Sequence, residues 1–577
     1  MKKITLLFIS ILVFSSCSDF LDETNRNSIT GDVLYSTPEG YETLINACYA
    51  YSRVWYAKAD GYAFTEMGTD CYTGAGADCG RAPQMAFYSD DLQGDLTLMQ
   101  YMWDALYSGL NACNTALARS SGAGLSTELQ KKREGEAHFL RALYLHLIVE
   151  TWGGVILYTE EIDKVVTTAE RSSVEDFYTQ IFDDLDQAIT KLTGTPNKDS
   201  GRVTQLAAKA FKARMCLYRG QYTEAAKLAK EVIGTSGFGM YDTFTETFKM
   251  SNAKGQNNSE AIWWVNYSQD ASLQAHFDEE KIVSPLMGER YDSHAHLISA
   301  MSYWMVSGCG VWVTPQTHTP WVQCMPTISF LHMFDENIDQ RYDGTFRTTW
   351  YVNDIGNNYS AKFGENYTLP GGYKYDKPFV DGGMQLNDIA FETVKYAVTD
   401  EYRKSKNYMI FDRNDVYDAE GKTIGTRDYF ISTYKFEDDT KATGWEYWSS
   451  RDAFVLRIAE MYLIVAEAEL MDNHPDIAVE YMNTLREKRA KPGKEADMRI
   501  TAYDLDIDFI LDERARELAG EQHRFFDLKR TGKLIERVKK YNPNAAIKDH
   551  HVVRPIPQAE LDAVTNKDEF KQNNGYN

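Results

Sequence analysis

Basic residues are in short supply. The chain has 61 Lys and Arg against 84 Asp and Glu, a formal net charge of −23 at pH 7 with pI near 5.0. Phosphate binding needs a concentrated basic footprint, so this balance excludes a nucleic-acid partner and suits a neutral or cationic ligand. Long apolar runs are missing as well. Past residue 16 no stretch approaches the ~20 apolar residues that cross a bilayer. Catalytic signatures are also absent: there is no G-x-S-x-G elbow, no H-E-x-x-H pair and no Walker loop. The segment Gly74-Ala75-Gly76-Ala77-Asp78-Cys79-Gly80 brings its last glycine one place late for a dinucleotide turn and has no βαβ setting, so it reads as a loop. No cysteine pair has the CxxC spacing of a zinc site, and no run has the calcium-loop pattern.

Acidic neighbours such as Asp90-Asp91 and Asp438-Asp439 are expected by chance in so acidic a chain. Glycosidase chemistry needs two carboxylates at a set separation across a sugar, and no such pair is legible. His294-Ala295-His296 would place two imidazoles on one strand face, but a specific metal site needs three or four converging ligands. No enzyme and no cofactor are expected; a structural Ca²⁺ on scattered loop carboxylates would have no motif behind it. A surface glycoside hydrolase is the remote alternative.

The N-terminus specifies a compartment. Lys2 and Lys3 precede a short apolar run from Ile4 to Phe14, then Ser15, Ser16 and Cys17. A basic start, a brief apolar core and a small-residue exit describe a secretory signal over residues 1–16. Cys17 stands where a bacterial lipoprotein carries its acylated cysteine, although Phe14 replaces the usual leucine-like residue; the alternative is an ordinary signal with an incidental cysteine. The polar, acidic start of residues 17–36 suits a solvated leash. Acylating Cys17 leaves seven of the eight cysteines, an odd number. Cys48, Cys113 and Cys216 lie in helical, apolar patterns and read as core. Cys71 with Cys79, and Cys309 with Cys324, are spaced for local bridges, but spacing does not settle connectivity.

Two helical blocks, residues 37–240 and 451–577, enclose a loop-rich, partly β middle at 241–450. Periodicity predicts helices over 134–152, stopped by Gly153-Gly154, and over 174–192, ahead of Gly194-Thr195-Pro196. Residues 206–233 read as a helix pair turning at Gly220-Gln221-Tyr222, with small Ala213 and Ala225 letting the arms approach. That matches the tetratricopeptide helix-turn-helix. A weaker pair spans 457–489, turning at Asn473-His474-Pro475. With no strict period between them, the expectation is an irregular, mainly α scaffold.

Several segments, in order along the chain, resemble the SusD/RagB family. They are Cys17-Ser18-Asp19-Phe20-Leu21-Asp22, Glu136-Ala137-His138-Phe139-Leu140-Arg141-Ala142 with Trp152-Gly153-Gly154, and Arg457-Ile458-Ala459-Glu460-Met461-Tyr462-Leu463 into Ala466-Glu467-Ala468. The strongest runs from Leu511-Asp512-Glu513-Arg514 through Gly520-Glu521 to Arg524-Phe525-Phe526-Asp527-Leu528-Lys529-Arg530. Pro555-Ile556-Pro557-Gln558-Ala559-Glu560 and Gln572-Asn573-Asn574-Gly575-Tyr576 close it, Asn574 departing from a common proline. The resemblance implies a SusD-like fold on a tetratricopeptide-type scaffold, lipid-anchored in the outer membrane and facing outward. It implies a glycan ligand handed to a SusC-type TonB-dependent barrel, or, on the same fold, a RagB-like oligopeptide ligand. The charges at 512–530 read as ion pairs between helices, each exposed pair worth ~0.5 kcal/mol, and not as catalysts.

What the chain does have is aromatic content in loops: 37 Tyr, 27 Phe and 11 Trp. The densest run holds Tyr303, Trp304, Trp312 and Trp321 among glycines and prolines that forbid a long helix. Flat rings offer apolar faces to sugar C–H surfaces, and Gln316, His318 and Gln323 lie alongside for hydroxyls. The resemblance adds a second loop, Thr65 to Tyr88, with Asp70, Tyr72, Asp78, Arg81 and Tyr88. The site is therefore expected to include Tyr303, Trp304, Trp312, His318 and Trp321 with Asp70, Tyr72 and Arg81. Packing under the loops or against a partner is the competing reading for each tryptophan. One of Trp263-Trp264 should be core, because neighbours on a strand point oppositely, and Trp350 and Tyr351 could form a rim.

Overall fold

A computed structural model describes residues 31–77, 79–80, 82–268, 270, 293–306, 309–354, 367–369, 371–375 and 385–577. The expected signal, Cys17, Asp78 and Arg81 lie outside the described residues. No described helix is long and apolar enough to cross a membrane.

The helices start and stop where local chemistry says they should. The helix Thr127–Trp152 begins a full two turns before its apolar stripe, because the Ser126 hydroxyl accepts the Leu129 N–H and the polar first turns stay at the surface. It ends at Gly153, at φ 75°. Val174–Lys191 opens on a reciprocal cap between Ser173 and Asp176. Gln205–Tyr218 and Tyr222–Ile233 form the expected hairpin, with Gly220 left-handed at φ 67°. A second hairpin, Ile458–Met471 and Pro475–Lys488, turns at Asn473, at φ 65°.

The two hairpins, far apart in the chain, dock on each other. Arg214 pairs with Glu460 at 2.6 Å in the interior, Lys230 with Glu469 at 2.5 Å, and the Thr223 hydroxyl donates to Asp472 at 2.7 Å. The family-like segments also meet in space. The Trp152 indole donates to Pro555 O, Arg554 N–H to Thr151 O, and the Asn573 amide to Trp152 O. Those motifs hold the first block to the last.

The strands are short and pair across long stretches of chain. Ala261–Val265 lies antiparallel to Ala453–Arg457, and Tyr72–Gly74 antiparallel to Cys324–Pro326. Thr349–Tyr351, Ile389–Thr393 and Met409–Phe411 form a three-stranded mixed sheet. One apolar core runs from Tyr41 to Tyr576 and takes residues from both helical blocks and the middle segment. Trp263 and Trp264 do point oppositely, but both are buried. Trp263 packs edge-on against Phe139, and Trp264 sits with Phe244, Phe248 and Phe454 in a separate cluster.

The charges at 512–530 depart from the surface-pair expectation. Most of them are buried, and several find partners far along the chain. Arg457 reaches Glu260 at 2.6 Å and Glu521 at 2.7 Å; Arg489 reaches Glu517 at 2.9 Å and Glu260 at 3.0 Å; Arg341 reaches Glu513 at 2.8 Å. Burial alone would raise the Glu517 carboxyl, but Arg489, Arg457 and Arg341 overcome it and hold it far below its ordinary range. Removing one partner of such a pair costs ~3–5 kcal/mol, several times a surface pair.

Candidate functional site

Two loops of the middle segment approach each other and carry aromatic rings to the surface. The first runs from residue 303 to the strand at Cys324; the second is 441–448. Gly444 makes the approach possible: a Cβ there would fall 2.6 Å from Thr314 O and 2.6 Å from the Val313 side chain. Thr319 N–H donates to Gly444 O at 2.9 Å and so locks the loops together. Asn353 clamps Trp312 from behind, accepting its N–H at 2.7 Å and donating to its carbonyl at 3.0 Å. Beside it, the Thr317 hydroxyl donates to Trp312 O and the Tyr434 phenol to Gln316 O, each at 2.8 Å.

On this support stand two adjoining aromatic groups. Trp304 meets Trp312 edge to face at 5.9 Å and 88°, and Trp312 meets Trp445 at 6.2 Å and 69°. Trp321 packs on His294 at 4.6 Å and faces Tyr447 at 6.2 Å. Trp304, Trp312 and Trp321 are half-buried, whereas Trp445, Tyr447 and Trp448 are 50%, 43% and 40% exposed and Met305 is 54% exposed. Successive rings are steeply inclined to one another, so they line a contoured surface and not one flat wall.

Among the described residues expected at the site, the three tryptophans reach this surface, and Tyr303, His318, Asp70 and Tyr72 do not. Tyr303 is fully buried, stacked on Trp350 at 4.4 Å, with its phenol donating to the Thr317 and His318 carbonyls. It is a strut beneath the loop. His318 is buried at φ 31° with its ring 4.7 Å from His296, and neither ring nitrogen has a hydrogen-bond partner. Burial, with Lys441 and Arg347 nearby, holds its imidazole well below the usual range. His294 and His296 are buried at the start of the short helix Ala295–Ile298, not side by side on a strand, because that turn packs beneath Trp321 and Lys441. No group of three or more metal-binding side chains occurs among the described residues.

Part of the loop from Thr65 to Tyr88 pairs with the strand that ends the other loop, but Asp70 and Tyr72 face inward. Pairing of Tyr72–Gly74 with Cys324–Pro326 turns Tyr72 onto Phe330 and its phenol to Thr433. Asp70 is fully buried against Arg524 at 2.6 Å and Arg537 at 2.8 Å. Neither Asp70 nor Tyr72 can meet a ligand in this arrangement: a buried carboxylate needs its counter-charges more than solvent. Arg81 is outside the described residues. Trp350 is buried, and Tyr351 is 54% exposed on the sheet edge.

Trp445, Tyr447 and Trp448 were missed by sequence reading. The signal was present, since Gly444-Trp445-Glu446-Tyr447-Trp448 puts three aromatics into four residues after a glycine with no helical period. Polar groups border the rings. Arg347 lies 3.4 Å over the Tyr434 ring and pairs with Glu437 at 3.3 Å. Burial lowers the Arg347 guanidinium to about 10 and raises the Glu437 carboxyl to about 8. The Glu446 carboxylate accepts Ala442 N–H and closes its own loop. A separate groove of about 570 Å³ opens between Tyr51, Arg53, Arg202 and Asn266. Its Arg202 is already engaged by Asn46 and Glu136.

A mainly helical platform with ring-bearing loops defines the fold, and comparison with known proteins gives the family. Residues 259–576 match the model of the SusD family, and residues 19–217 match a second model, described as starch-binding associating with outer membrane. The chain belongs to the SusD family. It is 24% identical to SusD-like protein P25 of Formosa agariphila over 97% of each chain. Its fold is similar to that of surface glycan-binding protein A from Bacteroides fluxus, with a TM-score of 0.65 at 19% identity over 94% of this chain and 100% of that one. The protein of the same name from Bacteroides thetaiotaomicron, solved in complex with laminarihexaose, gives a TM-score of 0.64 at 18% identity over 93% of this chain and 100% of that one.

Proposed function

We propose that this protein is a non-catalytic glycan-capture lipoprotein of the outer cell surface, anchored through Cys17, which passes oligosaccharide or polysaccharide to a SusC-type TonB-dependent transporter. The observation that carries the reading is the aromatic surface that half-buried Trp304, Trp312 and Trp321 form with exposed Trp445 and Tyr447. Water pays little to leave such rings, and a sugar's C–H face gains contact with them while its hydroxyls stay solvated or meet the polar rim. The solved relative that holds laminarihexaose supports a glucan as the first ligand to try.

Calorimetric titration of the full chain against neutral glucans, acidic glycans and peptides tests this. Saturable binding of a neutral glycan, lost when Trp312 and Trp445 become alanine, is expected. Binding of peptides in place of glycans would move the assignment to the RagB-like reading. Release of reducing ends from a bound polysaccharide would overturn the non-catalytic one.

A further inference from the structure

The thiols are arranged differently from what their spacing along the chain suggests. The Cys309 thiol donates to Val306 O at 2.9 Å, and Cys71 lies 3.5 Å from the Asp70 carboxylate, so each is turned into its own surroundings. Cys79 and Cys324, separated by most of the first two segments, are brought together. Gly74 is the direct antiparallel partner of Cys324. Residues opposed in this way project to the same face of the pair, with Cβ positions ~5 Å apart. A Cβ on Gly74 would lie 2.3 Å from the Cys79 sulfur. Cys79 Sγ therefore fills the side-chain position opposite Cys324, a position open only because residue 74 is glycine. Both cysteines are buried, at 1% and 0% exposure.

The backbone adds an independent sign. Cys79 sits at φ 53°, in the left-handed region that few non-glycine residues adopt, directly before Gly80 at φ 65°. A non-glycine residue keeps such a conformation only where the surrounding structure holds it. Burial pushes the Cys324 thiol up, and the Glu66 carboxylate and the Cys79 thiol push it further.

We propose that Cys79 and Cys324 are the site of a structural disulfide, which ties the loop after the Tyr72–Gly74 strand to the strand that leaves the aromatic surface. The bond forms by thiol–disulfide exchange. One cysteine thiolate attacks a disulfide oxidant and forms a mixed disulfide; the second displaces it. Each cysteine gives up a proton and an electron, and the oxidant leaves as two thiols. Buried thiols exchange slowly, so closure belongs to folding, before the loop packs. Trp321 stands three residues before Cys324, so the bond braces one end of the aromatic loop.

The test is a disulfide map of the full chain. It is unfolded, reduced and refolded in a reduced and oxidised glutathione buffer, then alkylated under denaturing conditions and digested with chymotrypsin, which cuts after Tyr72 and so separates Cys71 from Cys79. A peptide joining Cys79 to Cys324 is expected, with Cys48, Cys71, Cys113, Cys216 and Cys309 alkylated. Reductant should lower the melting temperature by on the order of 5 °C in the parent chain and leave Cys79→Ser and Cys324→Ser unmoved. Alkylation of both cysteines, or a link from either to another cysteine, overturns the proposal. The same digest of protein purified from an exporting host settles the matter should refolding be inefficient.

Discussion

The Asp70 carboxylate grips the Arg524 guanidinium through two hydrogen bonds, of 2.7 and 2.6 Å, across 454 residues of chain. Arg537 closes on the same carboxylate at 2.8 Å. A residue that reads as a loop ligand is thereby a bolt between the first helical block and the last. Asp70→Asn should cost ~3–5 kcal/mol in urea unfolding, because two buried guanidiniums lose their counter-charge. Glycan affinity of the folded variant should stay within about twofold; a large affinity loss at unchanged stability would return Asp70 to the binding site. Burial would raise its carboxyl, but Arg524 and Arg537 bring it down to about 2 from 3.8. Its folded value is the lower one, so its stabilisation is complete above pH ~4 and is lost as pH falls toward 2.

Trp312 and Tyr303 are nine residues apart and should respond in opposite ways. Trp312→Ala removes a half-buried ring and Trp445→Ala an exposed one, and each should weaken glycan binding about tenfold, ~1.4 kcal/mol, with a smaller effect on melting temperature than the loss of a fully buried ring. Tyr303→Ala empties a buried stack on Trp350 and should cost ~3–5 kcal/mol of stability. Calorimetric titration and chemical denaturation of the three variants separate the roles. Full affinity in both tryptophan variants would remove the aromatic surface from the site.

Gly444 sets the distance between the loops. Gly444→Ala brings a methyl group within 2.6 Å of Thr314 O, a contact that backbone must move to relieve. Overpacking of this kind costs ~1–3 kcal/mol. It should also part Trp312 from Trp445, so affinity falls although no ring is lost. Titration of this variant beside Trp445→Ala measures how much of the binding depends on ring spacing.

The buried imidazoles should give the protein an acid-sensitive interior. Burial, with Lys441 and Arg347, keeps His318 neutral in the folded chain, and burial lowers His146 to about 3 and His523 to about 4. In the unfolded chain these rings titrate near pH 6.5. The depressed folded values mean that stability is whole above pH ~6.5 and declines as pH drops, by up to ~1.4 kcal/mol per unit for each histidine. His318→Gln should flatten the slope of unfolding free energy between pH 6 and 4.5 by about one such increment. Urea titrations at stepped pH read it; an unchanged slope would mean that His318 is protonated in the folded state.

Much of the architecture was legible before any coordinates. The hairpin at 205–233 follows from small residues, Gly220 and Tyr222, all within one local segment. The start of the Thr127 helix was not legible because its first turns carry no apolar period. The ion pairs at 512–530 were recognised as structural, but their burial was not, since partners such as Arg341 and Asp70 lie far away along the chain. Trp445, Tyr447 and Trp448 crowd four residues after Gly444, but only the approach of that loop to Thr314 and Thr319 gives them a place beside Trp312 and Trp321.

Helix positions, hairpin turns and family membership rest on residues close together in the chain, where spacing, caps and glycines act through contacts a few residues long. Which rings face solvent and which thiols face each other rest on pairings such as Tyr72–Gly74 with Cys324–Pro326. There a strand register, and nothing local, turns Tyr72 and Cys79 inward. Composition marks a tryptophan as able to bind; only the packed neighbours decide whether a ligand can reach it.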